Sequence, residues 1–262
     1  MRDILKIAIV GSGGVAESFA RNIARNDSLH LCGIIARNKE RGVALAELCS
    51  TKWHPCSEEC ASADIYIIAV SDTAVEGVAH ALRVAESAIV VHTAGSVPLS
   101  AIPEREGKRG IIYPFQTFTS GRNVDLCGVT LFVEADDDAT LLSLREFASL
   151  LSPNVEYADS ERRRTIHLAG VFVNNFTNHL YALGGEIVGR EGLSFEVLKP
   201  LIAETAAKAL DSSNPVTAQT GPAKRGDKVV IEKHLAMLDK DSTKQKIYND
   251  ITESIWETSK RI

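Results

Sequence analysis

A glycine-rich turn near the start of the chain has the clearest chemical meaning. Residues 11–16 read Gly-Ser-Gly-Gly-Val-Ala and directly follow the apolar run of residues 7–10. This is the G-x-G-x-x-A form of the dinucleotide-binding fingerprint. Gly11 allows the tight turn, Gly13 lets a pyrophosphate approach the backbone, and Ala16 lets the next helix pack close to the strand. The positive N-terminal end of that helix favours phosphate binding. The expected cofactor contacts in this segment are Gly11, Ser12, Gly13, Gly14 and Val15.

The end of the second predicted strand indicates which dinucleotide binds. NAD-binding proteins usually carry an acidic residue about 20 positions after the glycines, where it holds the ribose 2′-hydroxyl. Here that position is Ala36, and Arg37 and Asn38 follow it. Because a guanidinium can hold a phosphate with two hydrogen bonds, we expect these three residues to bind NADP(H) rather than NAD(H). The alternative is that Arg37 and Arg41 only begin a charged helix.

Polar residues follow two further predicted strands, at the edge where open parallel sheets bind ligands. We expect Val70, Ser71 and Thr93 to contact the cofactor and Ser96 to contact the substrate. His92 ends its strand and would face the nicotinamide. There it could donate a proton, orient a substrate, or only bond a backbone carbonyl. We take His92 as the first candidate for proton relay.

A helix predicted over residues 167–189 carries a polar stripe on an otherwise apolar surface. His167, Asn174 and Asn178 are spaced so that, at about 100° per residue, they point within about 40° of one another. Buried amides need hydrogen-bond partners. The stripe therefore either bonds to another helix or subunit, or it lines a substrate cleft. In the second case Asn174 orients the reacting group, Asn178 contacts the substrate, and His167 is a further acid–base candidate.

Two other polar segments have competing interpretations. In the Gly/Pro-rich loop of residues 214–227, Arg225 could hold a substrate carboxylate and Thr220 could contact the substrate. Equally, the loop could be a connector in which Asp227 caps the next helix. The three arginines at residues 162–164 are expected to form a solvated helix start.

Composition and cysteine usage narrow the class of protein. The net charge of −5 and the lack of a basic block argue against nucleic-acid binding. No apolar run approaches the roughly 20 residues of a membrane span, and we expect no signal peptide. Five cysteines without an export signal favour reduced thiols in the cytoplasm. A zinc site is the less favoured interpretation of a cluster formed by Cys49, His54, Cys56 and Cys60, so no metal is expected.

The spacing of apolar residues predicts strands alternating with helices, followed by helices only. This pattern is typical of an α/β fold: a doubly wound, mostly parallel Rossmann sheet followed by an all-helical C-terminal domain. We place the two domains at residues 1–157 and 158–262. The predicted strands cover residues 7–10, 30–36, 64–70, 87–92, 129–134 and 154–157, and residues 110–118 are predicted as a strand followed by a loop. The predicted helices after the first cover residues 41–49, 74–82, 136–151, 167–189, 194–210, 229–238 and 243–260.

Three motifs, together with the glycine turn, resemble a known group of enzymes. They are His-Thr-Ala-Gly-Ser at residues 92–96, Tyr-Pro-Phe-Gln-Thr-Phe at residues 113–118, and Thr-Gly-Pro-x-x-Arg-Gly-Asp at residues 220–227. The chain resembles a bacterial family of NADP oxidoreductases in which a Rossmann-like domain precedes a C-terminal domain of unknown function. More broadly, it is similar to pyrroline-5-carboxylate reductase, the beta-hydroxyacid dehydrogenases and the F420-dependent NADP reductases. The resemblance implies a homodimer built by the helical domain, with an active cleft between domains.

One departure from the broader group bears on the reaction. The beta-hydroxyacid dehydrogenases carry Lys-x-x-Asn on the first long helix of the second domain, and the lysine is their proton donor. Aligning Asn174 with that asparagine places Val171 at the lysine position. Valine cannot transfer a proton. Either another group, such as His92 or His167, performs the acid–base work, or the reaction is not hydroxyacid chemistry.

The leading hypothesis is an NADP-dependent oxidoreductase that transfers a hydride between nicotinamide and a small carbonyl or imine substrate, with a substrate carboxylate held by Arg225. The alternative is a non-catalytic NADP-binding sensor or scaffold that dimerises through its helices. The absence of the lysine favours this alternative. A deazaflavin partner is a third hypothesis.

Overall fold

The computed structural model of the chain describes residues 4–60, 63–104, 108–238 and 240–261. Within these residues, eight strands form one sheet in the order β3-β2-β1-β4-β5-β6-β7-β8. The strands are β1 (Leu5–Val10), β2 (Leu29–Ile35), β3 (Trp53–His54), β4 (Ile65–Ile68), β5 (Ile89–His92), β6 (Arg109–Pro114), β7 (Leu131–Ala135) and β8 (Val155–Tyr157).

The sheet is parallel except where β6 pairs with β7. The predicted doubly wound, mostly parallel architecture is therefore confirmed. Strand β3 was not predicted, and it is only two residues long. Such a strand is too short to show a hydrophobic period.

Helices cover both faces of the sheet in the first half of the chain. They are α1 (Gly14–Ala24), α2 (Lys39–Leu48), α3 (Val75–Ala81), α4 (Asp138–Ser149) and α5 (Ser160–Gly170). One core packs α1, α2 and α4 against the sheet, with Phe19 and Phe147 among its fully buried side chains. A second core packs α3 against the opposite face around Tyr66 and Ile68. Burial on both faces explains why the central strands read as continuous apolar runs.

The segment between β6 and β7 lies along α1. The side-chain amide of Asn22 donates to the Val124 carbonyl at 2.9 Å, and the Leu126 N–H donates to the Asn22 Oδ1 at 3.1 Å. The Gly121 N–H donates to the Glu17 carboxylate at 3.0 Å, near the start of the helix. These bonds hold residues 117–121 beside the glycine-rich turn.

The helical half differs from the prediction at its start. Helix α5 begins at Ser160, earlier than predicted, because the Asp159 carboxylate accepts the Arg162 N–H at 2.7 Å and caps it. Residues Val171–Phe176 then wind as a π-helix. The further helices are α6 (Thr177–Gly189), α7 (Lys199–Asp211), α8 (Pro222–Arg225), α9 (Lys228–Met237) and α10 (Ser242–Ser259).

The chain divides into two compact units after Asn174. The predicted boundary between residues 157 and 158 coincides with the end of β8, whereas the packing groups α5 with the sheet. The reason is that Arg163, on α5, bonds to residues of the sheet unit. None of the helices in the described ranges combines the length and apolarity that a membrane crossing requires.

Candidate nucleotide-binding and catalytic site

The glycine turn between β1 and α1 has the backbone geometry that its sequence predicts. Gly11 has φ +134°, and a Cβ there would lie 2.2 Å from the Ala69 carbonyl oxygen, so only glycine fits. A Cβ on Gly13 would meet no atom within 4 Å. Gly13 is also the N-cap of α1 and has an extended backbone conformation. The space above Gly13 is therefore open at the helix N-terminus, where a pyrophosphate would bind.

A cavity of about 650 Å³ begins at this turn. Its walls are the glycine turn, the end of β2, the loop after β3, and the adjoining face of α3. The lining residues are Val10, Gly11, Ser12, Ile35, Ala36, Arg37, Asn38, Pro55, Cys56, Ser57, Glu58, Val70, Val78, Ala81 and Leu82. Mostly apolar walls that end in a few polar groups suit a nucleoside. The residues present therefore fit the adenosine half of a dinucleotide.

Arg37 and Asn38 contribute to this cavity in different ways. Arg37 is exposed at its edge, where its guanidinium is free to reach a bound phosphate. Asn38 is the N-cap of α2, and its Oδ1 accepts the Arg41 N–H at 2.9 Å. Ala36 is buried, and its carbonyl accepts the Trp53 indole N–H at 3.0 Å. The segment therefore begins helix α2 and also places the Arg37 cation at the edge of the cavity. The interpretation as a charged helix start and the interpretation as a phosphate contact are compatible.

The ends of β4 and β5 place the other predicted contacts. Val70 lines the cavity, and Ser71 is exposed next to it. Thr93 is buried, with its hydroxyl bonded to the Ile68 carbonyl at 3.4 Å. Ser96 donates to the Asp72 carboxylate, which links the loop after β5 to the loop after β4.

His92 has a structural environment, contrary to the proton-relay hypothesis. Its side chain is wholly buried. The Ala94 N–H donates to Nδ1 at 3.2 Å, and Nε2 contacts the Pro98 carbonyl at 3.3 Å. Burial lowers the pKa of His92 to about 4, so the ring is neutral and both nitrogens are in use. His92 therefore fixes the loop of residues 93–98, which was the third of the roles considered for it.

Tyr113 and His167 form a pair that was not predicted from the sequence. The Tyr113 hydroxyl lies 3.2 Å from the His167 Nδ1, at the carboxyl ends of β5 and β6. Both side chains are half-buried. Burial is the main cause that raises the pKa of Tyr113 to about 12. Tyr113 belongs to one of the motifs noted in the sequence, but a tyrosine before a proline carries no signal that specifies its partner.

Arg163 is fully buried, so the expectation of a solvated arginine run is wrong at its central residue. Its guanidinium pairs with the Glu134 carboxylate on β7 and donates to the Val97 carbonyl. Ser160 donates to the same carboxylate at 2.9 Å. The neighbouring Arg162 and Arg164 are exposed, as expected. Three like residues in a row sample different helix faces, and only one of these faces meets the sheet.

The predicted polar stripe assumed regular α-helix geometry, and that assumption is wrong from Val171 onward. The π-helix of Val171–Phe176 has more residues per turn, which changes the direction of each following side chain. Asn174 is exposed within it. In the second unit, Asn178 is exposed beside a cavity of about 480 Å³ that it lines with Phe195 and Lys199.

Thr220 and Arg225 also lie in the second unit. Thr220 lines an apolar cavity of about 450 Å³ bordered by α6, α9 and α10. Arg225 is exposed at the end of the short helix α8. The Asp227 carboxylate accepts the Val230 N–H at 3.2 Å and caps α9, so the connector interpretation of this loop is confirmed for Asp227.

Among the described residues, no three His, Cys, Asp or Glu side chains are grouped closely enough to hold a metal ion. His54 and Cys60 instead pack over Gly33, where a Cβ would lie 2.6 Å from the imidazole and 3.1 Å from the sulfur. Burial raises the pKa of the Cys60 thiol to about 11, which disfavours the thiolate that binds metals.

Comparisons with known proteins show the family and the fold. The family described as "NADP oxidoreductase coenzyme F420-dependent" matches residues 6–95, and a domain of unknown function matches residues 129–255. Among solved structures, a protein from Bacteroides fragilis named "putative NADP oxidoreductase" is 37% identical, with a TM-score of 0.86 over 97% of this chain and 98% of that one. A comparison with curated proteins found no match.

Two more distant structures share the fold. A Thermotoga maritima protein is 23% identical, with a TM-score of 0.78 over 97% of this chain and 99% of that one. An imine reductase from Myxococcus stipitatus, in complex with NADP+, is 14% identical, with a TM-score of 0.58 over 98% of this chain and 93% of that one.

The fold and the glycine turn thus define an oxidoreductase-type protein with a dinucleotide-binding domain. More particularly, the chain belongs to the family of NADP oxidoreductases represented by the Bacteroides fragilis protein, in which the dinucleotide-binding domain precedes a helical domain of unknown function.

Proposed function

We propose that this protein is an NADP-dependent oxidoreductase that transfers a hydride between nicotinamide and a small carbonyl or imine substrate. The observation that carries the proposal is the open space over Gly13 beside a cavity with Arg37 at its edge. When bound, the cofactor supplies the hydride. The chain supplies the phosphate-binding helix end, the walls around the nucleoside, and the cation for the 2′-phosphate.

Binding measurements with Arg37→Ala test the cofactor assignment. We expect the wild-type protein to bind NADPH more tightly than NADH in isothermal titration calorimetry. Loss of a charge-assisted hydrogen bond costs about 1.5–3 kcal/mol, so the variant should bind NADPH about 10- to 150-fold more weakly. Binding of NADH, which has no 2′-phosphate, should change by less than about twofold.

The matched control is Arg25→Ala, which removes an exposed arginine at the opposite end of α1. It should leave both affinities unchanged. Equal affinity for the two dinucleotides, with no effect of Arg37→Ala, would contradict the preference for NADP. Absence of binding to either dinucleotide would contradict the whole proposal.

Turnover distinguishes an enzyme from a cofactor-binding scaffold. The probe is the cyclic imine 1-pyrroline, with the loss of NADPH absorbance as the readout. Imines and carbonyls both accept a hydride at carbon and a proton at the heteroatom, so pyruvate serves as a carbonyl probe beside it. Tight NADPH binding without turnover across a panel of such compounds would favour the scaffold.

We also propose that the protein forms a homodimer through its helical unit. Helices α6, α7, α9 and α10 contain no buried residue, and a helical layer needs another layer against which to bury its apolar face. Among the described residues of this unit, the exposed large apolar side chains are Phe176, Leu180, Ile187, Leu193, Phe195, Val197, Leu201, Leu210, Val229, Met237, Ile251 and Trp256.

Light scattering coupled to size exclusion tests this assembly. We expect a mass about twice the 28.3 kDa of one chain. Leu201→Glu, on α7, should raise the dimer dissociation constant, because it would bury an unpaired charge in the interface. Leu142→Glu, at an equally exposed leucine of α4, is the control and should leave the mass unchanged. A monomeric wild-type protein would contradict the proposal.

A further inference from the structure

The pair formed by Tyr113 and His167 is the strongest acid–base group that the proposed function has not used. The two rings belong to different elements, β6 and α5, and their centroids lie 6.1 Å apart. A 3.2 Å contact joins the phenol oxygen to the His167 Nδ1. Neither side chain is sealed into the core, because both are half-buried. A proton on either group is therefore accessible to a molecule bound nearby.

Gly95 creates the space that the pair occupies. A Cβ at Gly95 would lie 2.6 Å from the His167 Nδ1 and 2.8 Å from the Tyr113 Cζ. Gly95 follows β5 by three residues and so lies at the carboxyl edge of the sheet. Ligands of open parallel sheets bind outside this edge. The pair thus lies on the side of the sheet from which the glycine turn also opens.

The histidine is held toward the tyrosine by a buried anchor. Arg163 is one helical turn before His167 on α5, so the two side chains share a face. The guanidinium of Arg163 bonds to the Val97 carbonyl and to the Glu134 carboxylate. The Ser160 hydroxyl also accepts the Leu99 N–H at 3.2 Å. These bonds fix the first turns of α5 against the loop that contains Gly95.

Other polar groups at this edge are less suited to donate a proton. His92 is buried with both ring nitrogens occupied. The Asp72 carboxylate already accepts a hydrogen bond from the Ser96 hydroxyl. Tyr113 also packs edge-on against Phe115 and stacks with Phe132, at centroid distances of 6.2 and 6.4 Å. The two phenylalanine rings orient the Tyr113 ring. They carry no polar group that could bond to its hydroxyl.

We propose that Tyr113 is the proton donor of the reduction and that His167 is its positioning residue. This inference rests on the proposed oxidoreductase function. As a hydride forms the new C–H bond of the substrate, the electron pair of the C=O or C=N bond moves to the heteroatom. The O–H bond of Tyr113 then breaks, and its proton forms the new bond at that heteroatom. His167, with its proton on Nδ1, donates a hydrogen bond to the phenolate, which afterwards regains a proton from water.

The electrostatic environment favours an acid that remains protonated until it is needed. Burial and the Asp72 carboxylate raise the pKa of Tyr113, while Arg163 opposes them. At neutral pH the phenol therefore keeps its proton in the resting protein. Donation becomes favourable only when negative charge develops on a substrate heteroatom next to it.

Steady-state kinetics with 1-pyrroline and NADPH provide the first test. We expect Tyr113→Phe to lower kcat about 100- to 1,000-fold, as for loss of a general acid, with the dissociation constant for NADPH within about twofold. His167→Ala should lower kcat less. His167→Asn, whose amide can occupy the place of Nδ1, should recover part of that loss. The control is Tyr248→Phe, which breaks a similar pair with His234 in the second unit and should leave kcat unchanged.

A spectroscopic test does not depend on turnover. In protein labelled with carbon-13 at the tyrosine Cζ, the Tyr113 signal is assigned through Tyr113→Phe. We expect NADP+, whose nicotinamide is cationic, to lower the pH midpoint of Tyr113 ionisation relative to NADPH by about half a pH unit or more. His167→Ala should raise the midpoint in both complexes, because the phenolate loses a donor.

The outcomes separate the two proposals. If neither dinucleotide binds to the wild-type protein, the proposed function and this inference both fail. If NADPH binds but the Tyr113 signal does not distinguish NADP+ from NADPH, only this inference fails. Full activity of Tyr113→Phe on 1-pyrroline would likewise overturn it. If 1-pyrroline is not a substrate of the wild-type protein, the spectroscopic result decides.

Discussion

Replacing Arg163 by methionine is the substitution whose cost the structure defines best. Arg163 is fully buried and forms an ion pair with Glu134, which is also buried. The change keeps most of the side-chain length but removes the charge. Among the described residues, Glu134 then retains the bonds from Ser160, and the Val97 carbonyl loses the bond from Arg163. The variant therefore leaves a buried carboxylate without its counterion.

The expected loss is large compared with the stability of a typical protein. Breaking a buried pair by removing one partner costs about 3–5 kcal/mol. At roughly 2–4 °C per kcal/mol for a chain of this size, the melting temperature should fall by about 6–20 °C. The Arg163 Nε is buried and makes no hydrogen bond within the described part of the chain. Burying this unbonded N–H has a cost that reduces the net stabilisation from the ion pair.

A double-mutant cycle tests the reasoning in urea denaturation at neutral pH. The double variant Arg163→Met/Glu134→Leu leaves no unpaired charge. Its loss of unfolding free energy should therefore be smaller, by at least about 2 kcal/mol, than the sum of the losses of the two single variants. Arg164→Met is the control, since Arg164 forms an exposed pair with Glu161, and it should move the melting temperature by about 1 °C or less. A loss below about 1 kcal/mol for Arg163→Met would refute the buried-pair interpretation.

Two further predictions concern the glycine turn and the buried histidine. Gly13→Ala should leave the melting temperature within about 2 °C, since a Cβ there meets no atom within 4 Å, yet it should weaken NADPH binding about 10-fold or more by obstructing the pyrophosphate. Gly11→Ala should instead destabilise the fold, because its Cβ would lie 2.2 Å from the Ala69 oxygen. If both variants changed stability and binding equally, the assignment of Gly11 to the turn and Gly13 to the phosphate contact would be wrong. Burial holds the pKa of His92 at about 4, below its ordinary value of 6.5, so between these values the unfolded chain takes up a proton that the folded chain does not. The free energy of unfolding should therefore decrease by up to about 3 kcal/mol as the pH falls from 6.5 to 4, and His92→Gln should flatten this part of the profile in denaturant titrations; an unchanged profile would show that other groups control the acid limb.

The glycine turn of the candidate cofactor site could be predicted from the sequence because its determinants are local. Gly11, Gly13 and the strand before them are neighbours in the chain, and each is required by the backbone geometry of one turn. Arg37 was predicted as a phosphate contact in the same way, by counting from the glycines to the end of β2, and this role stays a prediction. Alternation of strands and helices likewise fixed the mostly parallel sheet, because each element shows its own hydrophobic period.

The candidate catalytic half depended on contacts between residues far apart in the chain. His92 and Tyr113 each lie at the end of an apolar strand. Nothing in their sequence neighbourhoods therefore distinguished the buried histidine from the half-buried tyrosine. His167 contacts Tyr113 although the two residues are 54 positions apart in the chain. His167 lies on α5, whose first residue is set by the Asp159 cap. The π-helix of Val171–Phe176 could not be read from a pattern that assumes the α-helical period.

The sequence by itself determined the dinucleotide turn, the order of the elements and the change to helices in the second half, because these follow from the conformational preferences of neighbouring residues. Only the tertiary structure decided that Arg163 is buried rather than solvated, that both nitrogens of His92 are occupied, and that Tyr113 and His167 form a pair. Burial and hydrogen-bond partners are properties of packing, and packing joins residues whose separation along the chain carries no information about their distance in space.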